Sequence, residues 1–64
     1  MDNEIIELLQ DIETQLQNAA DDSAKFVLGN NSAGTRIRKA MQNIKNIAQH
    51  VRVAVQAQKN GVPA

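Results

Sequence analysis

Sixty-four residues with no cysteine and one histidine allow a single small domain, and they exclude both a disulfide framework and a Cys/His zinc site. A chain that is 42% hydrophobic and 22% charged, with three glycines and one proline, has the composition of an ordered helical protein, and no apolar run nears the roughly 20 residues of a membrane span. The net charge of zero hides a division: residues 1–28 hold all seven acids against Lys25 alone, net −6, whereas residues 29–64 hold six cations and no acid, net +6. Such asymmetry points either to contact with a polyanion or membrane surface, or to mutual attraction of the two halves.

The opening Met1-Asp2-Asn3-Glu4 lacks the basic and apolar regions of a signal peptide, so a cytoplasmic location is expected. Ile5, Leu9, Ile12, Leu16, Ala19, Ser23 and Phe26 then recur at steps of four and three, one stripe of a helix, widened by Ile6, Leu8, Ala20 and Val27. This predicts helix one over about residues 3–28, with Asp2 as N-cap, a Met1–Ile6 staple, and Gly29 as the stop.

Asn30, Asn31 and Ser32 supply turn and capping chemistry, giving a turn over about 29–32. A second series, Ile37, Met41, Ile44, Ala48, Val51 and Val55, widened by Ala40, Ile47 and Ala54, predicts helix two over about 33–60, ending near Asn60-Gly61 before Pro63. The short turn forces the helices antiparallel, so the expected fold is all-α, a single two-helix hairpin over 1–64. Two apolar seams in so short a chain exceed what two helices can cover, and pairing of two hairpins into a four-helix bundle is expected. Its core and interface would hold Ile5, Leu9, Ile12, Leu16, Phe26, Ile37, Met41, Ile44, Ile47, Val51 and Val55.

Catalysis needs polar groups converging in a hollow, and the sequence offers few. His50 has no ligand-type residue three or four positions away, and Glu4, Glu7 and Asp11 read as a solvated acidic face, so no enzyme, metal, cofactor or small-molecule substrate is expected. Arg38, Lys45, Arg52 and Lys59 recur every seven residues, a cationic line able to track a polyanion or to pair with acids of helix one: Glu4 with Lys59, Asp11 with Arg52, Asp22 with Lys39. Ser32, Gly34, Thr35, Arg36, Arg38 and Lys39 crowd the start of helix two, where free amides suit phosphate and cations oppose the helix dipole. Gly34 costs the helix about 1 kcal/mol relative to alanine, and its bare backbone would let a phosphate or a second backbone come close.

Gly29-Asn30, Ala33-Gly34-Thr35-Arg36, Arg38-Lys39-Ala40, Ile44, Arg52-Val53, Val55, Ala57 and Lys59 resemble the short bacterial histone-like family related to the chlamydial linker-histone-like nucleoid protein. The resemblance spans residues 29–59 around the pattern Ala-Gly-Thr-Arg-x-Arg-Lys-Ala. It implies a nucleoid protein that compacts double-stranded DNA through phosphate contacts, with Ser32, Gly34, Thr35, Arg36, Arg38, Lys39, Lys45 and Arg52 as the contacting residues. No aromatic interleaves the cations, which argues against stacking on single strands. The competing readings are a hairpin module whose partner is protein, with DNA playing no part, and membrane-surface binding by helix two, which the lack of tryptophan disfavours.

Overall fold

The computed structural model describes residues 3–61, which form two α-helices packed against each other: α1, Glu4–Val27, and α2, Asn31–Gly61. Asn3 caps α1, its Oδ1 accepting the N–H groups of Ile5 at 3.1 Å and Ile6 at 3.3 Å. Glu4 and Glu7 in the first turn and Lys25 in the last each oppose the end of the helix dipole that lies nearest. Met1, Asp2 and Pro63 lie outside the described residues, and the cap sits one residue later than the sequence suggests. An asparagine amide oxygen accepts those hydrogen bonds as a carboxylate would.

The end of α1 is a Schellman motif. Gly29 N–H reaches the carbonyl of Phe26 at 2.9 Å and Asn30 N–H that of Lys25 at 3.0 Å, which requires Gly29 to sit in the left-handed region at φ +103°. Asn30 then opens α2 directly, its Oδ1 accepting Ala33 N–H at 3.2 Å. Helix two therefore starts at Asn31, ahead of Ser32 and of the start expected near 33.

This early start moves the register. Asn43 donates to Gln15 and Arg36 to Asp22, and in both pairs the residue numbers add to 58, so the hairpin folds about Gly29. The expected pairs of Glu4 with Lys59, Asp11 with Arg52 and Asp22 with Lys39 add to 61 or 63, and none of them forms: among the described residues Asp22–Arg36 is the one ion pair within 4 Å. Glu4 falls level with Ala54, so the stretch 55–61 of α2 runs past the start of α1.

The packing seam differs from the expected stripe. On α2 the buried residues are Ala33, Ala40 and Ala54, in heptad phase with half-buried Ile47; on α1 only Ala19 is buried, between half-buried Ile5, Leu8, Ile12, Gln15 and Asp22. Every buried residue described is an alanine. Small side chains let two helices approach closely, and a close approach leaves no room between them for large ones. Leu9 (46% exposed), Leu16 (56%) and Met41 (42%), assigned from their spacing to the core and interface of a bundle, lie outside the seam within one hairpin, as does Val55, while Phe26 (49%) meets α2 at Gly34. Steps of four and three from Ile5 generate two stripes, 5-9-12-16 and 5-8-12-15, and the alanine ridge of α2 selects the second. Ile37, Ile44 and Val51 are half-buried at the seam's margin.

The hairpin, 53 × 18 × 11 Å, thus has two unlike long edges. One is polar, carrying Gln15, Asn18 and Asp22 from α1 and Arg36, Lys39 and Asn43 from α2. On the other flank of the seam, helical geometry gathers Leu9 and Leu16 with Ile37, Met41, Ile44 and Val55, and Phe26 closes its end beside the turn.

Candidate nucleic-acid interface

The cations predicted to meet a ligand fall into two groups. Arg38, Lys45, Arg52 and Lys59 are all exposed, and seven-residue spacing aligns them on the side of α2 turned away from the buried Ala40, Ile47, Ala54 line. At 1.5 Å per residue they stand about 10.5 Å apart and span roughly 31 Å. No acid comes within 4 Å of any of them among the described residues. Lys59 sits on the overhanging end of α2 and makes no ion pair with the Glu4 carboxylate expected beside it.

Arg36 belongs to the polar edge instead. Its Nε and Nη2 donate to Asp22 Oδ1 at 3.1 and 2.9 Å. The hydrogen bond from Arg36 holds the Asp22 carboxyl below the usual aspartate range, against a desolvation that pushes it up, with the charges of Arg36 and Lys25 adding to the lowering. The same hydrogen bond raises Arg36. Lys39 lines this edge too, exposed and without an ion-pair partner among the described residues.

Ser32 and Thr35 are exposed in the first two turns of α2. Gly34 is half-buried, and the space beside it is taken: a Cβ there would stand 2.6 Å from Phe26 Cε1 and 2.8 Å from Cδ1. The bare backbone at Gly34 seats an aromatic ring of the same chain, a use the phosphate-approach reading did not foresee. The first turn of α2 holds no acidic residue, so its amide dipoles face outward uncompensated from within the helix.

Gln15, Asn18 and Asn43 were not singled out from the sequence, although their setting was readable. Leu8, Gln15, Asp22 on α1 and Arg36, Asn43, His50 on α2 are heptad lines flanking the seam, and polar residues there meet across an antiparallel pair. Among the described residues no cluster of three or more His, Cys, Asp or Glu is placed to hold a metal, and no helix is long and apolar enough to cross a membrane. Among the described residues, a shallow, open hollow beside the start of α1 is lined by Glu4, His50, Val53, Ala54 and Ala57.

What the arrangement offers is a straight row of exposed cations on one helix, without an ion-pair partner among the described residues, with donor-rich residues at one end and an apolar edge alongside. No curated protein and no solved structure matches the chain. The family profile described as Histone H1-like protein Hc1 does, over residues 6–61, which takes in nearly all of both helices. The chain therefore belongs to the Histone H1-like protein Hc1 family.

Proposed function

We propose that this protein is a nucleoid-associated, histone-like protein that binds the backbone of double-stranded DNA without reading sequence, and does so as a dimer. The observation that carries the DNA reading is the exposed row Arg38, Lys45, Arg52, Lys59, which has no ion-pair partner among the described residues. Its span of about 31 Å is close to one turn of B-DNA, about 34 Å, so one row is long enough to cross a groove and reach the phosphates on both sides of it. Lys39 and the exposed Ser32 and Thr35 extend the contact surface toward the turn. Backbone contact of this kind orients a protein but carries no base information, and nothing on the row is shaped for base edges. Membership of a histone H1-like family supports the same reading.

Self-association rests on a separate observation. With only alanines buried, the lone hairpin leaves Ile6, Leu9, Leu16, Phe26, Met41 and Val55 more than a third exposed, an apolar surface that a stable monomer would cover. Two hairpins meeting on that edge form a four-helix bundle, and placing acidic α1 over the basic α2 of the partner sets opposite charges side by side. That arrangement puts the two cationic rows on opposite sides of the bundle.

A salt-titrated gel shift on unrelated duplexes tests the DNA reading. Four phosphate contacts per row predict that log affinity falls with log salt at a slope of about −3.6, equal for all sequences. Absence of binding at about 50 mM salt would leave the second reading, a hairpin module that associates with protein through the apolar edge, as the function the exposed leucines favour.

A further inference from the structure

Among the described residues Arg36 is the one cation of α2 held in an ion pair. Its side chain is half exposed (49%), whereas the Asp22 side chain that accepts from it is largely covered (13%) and is held on the last turns of α1, on the flank facing α2. A carboxylate and a phosphate present the same kind of oxygen acceptor to a guanidinium fork, at similar distances. Asp22 therefore occupies the place on Arg36 that a backbone phosphate would take. A phosphate approaching from solvent meets a guanidinium whose charge is cancelled by an oxygen 2.9 Å away, with a fixed negative charge behind it. The setting makes the contest local: Lys39, Asn43, Gln15 and Asn18 line the same polar edge and supply donors but no second carboxylate.

We infer that Asp22 is an internal counter-ion that keeps Arg36 out of the DNA contact in the free chain and so sets the affinity of the protein for phosphate backbones. The inference rests on the DNA-binding reading above and assigns it a restraining residue. Arg36 becomes a phosphate ligand only when Asp22 is neutralised or displaced. The geometry also explains how a chain with no net charge stays responsive: a single carboxylate, and not the acidic half as a whole, masks the head of α2.

Neighbouring Asp21 provides the control, since it is exposed, carries the same charge, and accepts only from Gln17 of its own helix at 3.2 Å. Binding of the full chain to duplex DNA is measured for wild type, Asp22→Asn, Asp21→Asn and Asp22→Asn/Arg36→Ala, with circular dichroism showing that each remains helical. One extra phosphate contact steepens the salt slope by about 0.9, which is roughly an eight-fold gain in affinity at 0.1 M relative to 1 M salt. Asp22→Asn is expected to show that gain and that steeper slope at each site. Asp21→Asn should shift affinity less than two-fold, and the double variant should fall back to wild type or below. Equal gains from both single variants would mean that only net charge matters and would overturn the assignment, as would wild-type affinity in a folded Asp22→Asn. A gain that survives removal of Arg36 would overturn it too. If neither wild type nor Asp22→Asn binds DNA at low salt, the DNA reading falls and this inference falls with it, an outcome distinct from binding that Asp22 does not influence.

Discussion

The two long edges of the hairpin are built from the same heptad pattern and do opposite things. Along the polar edge the side chains find each other: Asn43 reaches Gln15, and Arg36 closes on Asp22. Along the apolar edge they are only partly covered, and Leu9, Leu16 and Met41 remain between 42% and 56% exposed. Exposed hydrogen bonds and ion pairs replace bonds that water would make and add little, whereas covering a leucine yields about 1.5–3 kcal/mol. The satisfied edge therefore orients the two helices, and the unsatisfied edge holds most of the stabilisation still to be gained, which becomes available only on association.

The sharpest way to break this comparison is Leu16→Ala. Leu16 is 56% exposed in the single hairpin, and if it stayed so the truncation would cost little, below about 1 kcal/mol. If two hairpins bury it against each other, the cost rises to about 2–5 kcal/mol and the melting temperature depends on protein concentration. Sedimentation of wild type and Leu16→Ala at micromolar concentration, alongside thermal unfolding, separates the two. The expected result is a wild-type dimer that the variant loosens. A wild-type monomer with a concentration-independent melt would mean that the apolar edge is not where the chain completes its core.

The seam between the edges answers to a smaller change of the opposite sense. Ala40 is buried in the alanine seam between the two helices, and Ala40→Leu adds three carbons to a covered site. Overpacking of this kind costs about 1–3 kcal/mol, and unlike Leu16→Ala it acts within one hairpin, so its effect on denaturant unfolding should be the same at every protein concentration. Were Ala40→Leu to stabilise the chain, the close alanine seam would be wrong and the wider 5-9-12-16 stripe would be the packing face.

These outcomes bear on how much of the molecule was legible in its sequence. The two antiparallel helices could be read from apolar spacing and from the Gly29-Asn30 punctuation, because local chemistry alone decides those features. Which flank of Ile5, Ile12 and Ala19 faces α2 could not, since 5-9-12-16 and 5-8-12-15 obey the same step rule and the stripe rich in leucine looks like the better core. The choice is made by alanines on the other helix, a tertiary fact. Register was misjudged for a related reason: Asn30, Asn31 and Ser32 are all competent caps, and the use of Asn30 starts α2 early and unmakes every expected acid–base pair. The cationic row is a matter of spacing alone, which is why Arg38, Lys45, Arg52 and Lys59 keep one face whatever the register. The masking of Arg36 depends on register, and so it emerged only from the fold.

The smallest effect expected concerns Gly34, where the apolar edge meets the head of α2. From the sequence, the missing side chain reads as room for a phosphate; in the fold the Phe26 ring fills that room, 2.6 Å from where a Cβ would be. Alanine in place of glycine inside a helix is worth about 1 kcal/mol in its favour, so a vacant site would let Gly34→Ala stabilise the chain by about that amount. Here the new methyl must push the ring aside, and the lost contact offsets the gain, leaving a net change expected to be near zero. In a Phe26→Ala background nothing remains for the methyl to meet in that direction, and the full gain of about 1 kcal/mol should return. The four proteins of this cycle, unfolded in denaturant at one concentration, measure the coupling directly, since contacting residues fail to be additive by about 0.5 kcal/mol or more. Additivity within about 0.3 kcal/mol would show that the ring does not seat on Gly34. A Gly34→Ala variant of unchanged stability that bound DNA several-fold more weakly would return the glycine to the phosphate contact, because crowding by the new methyl could then be acting only on the ligand.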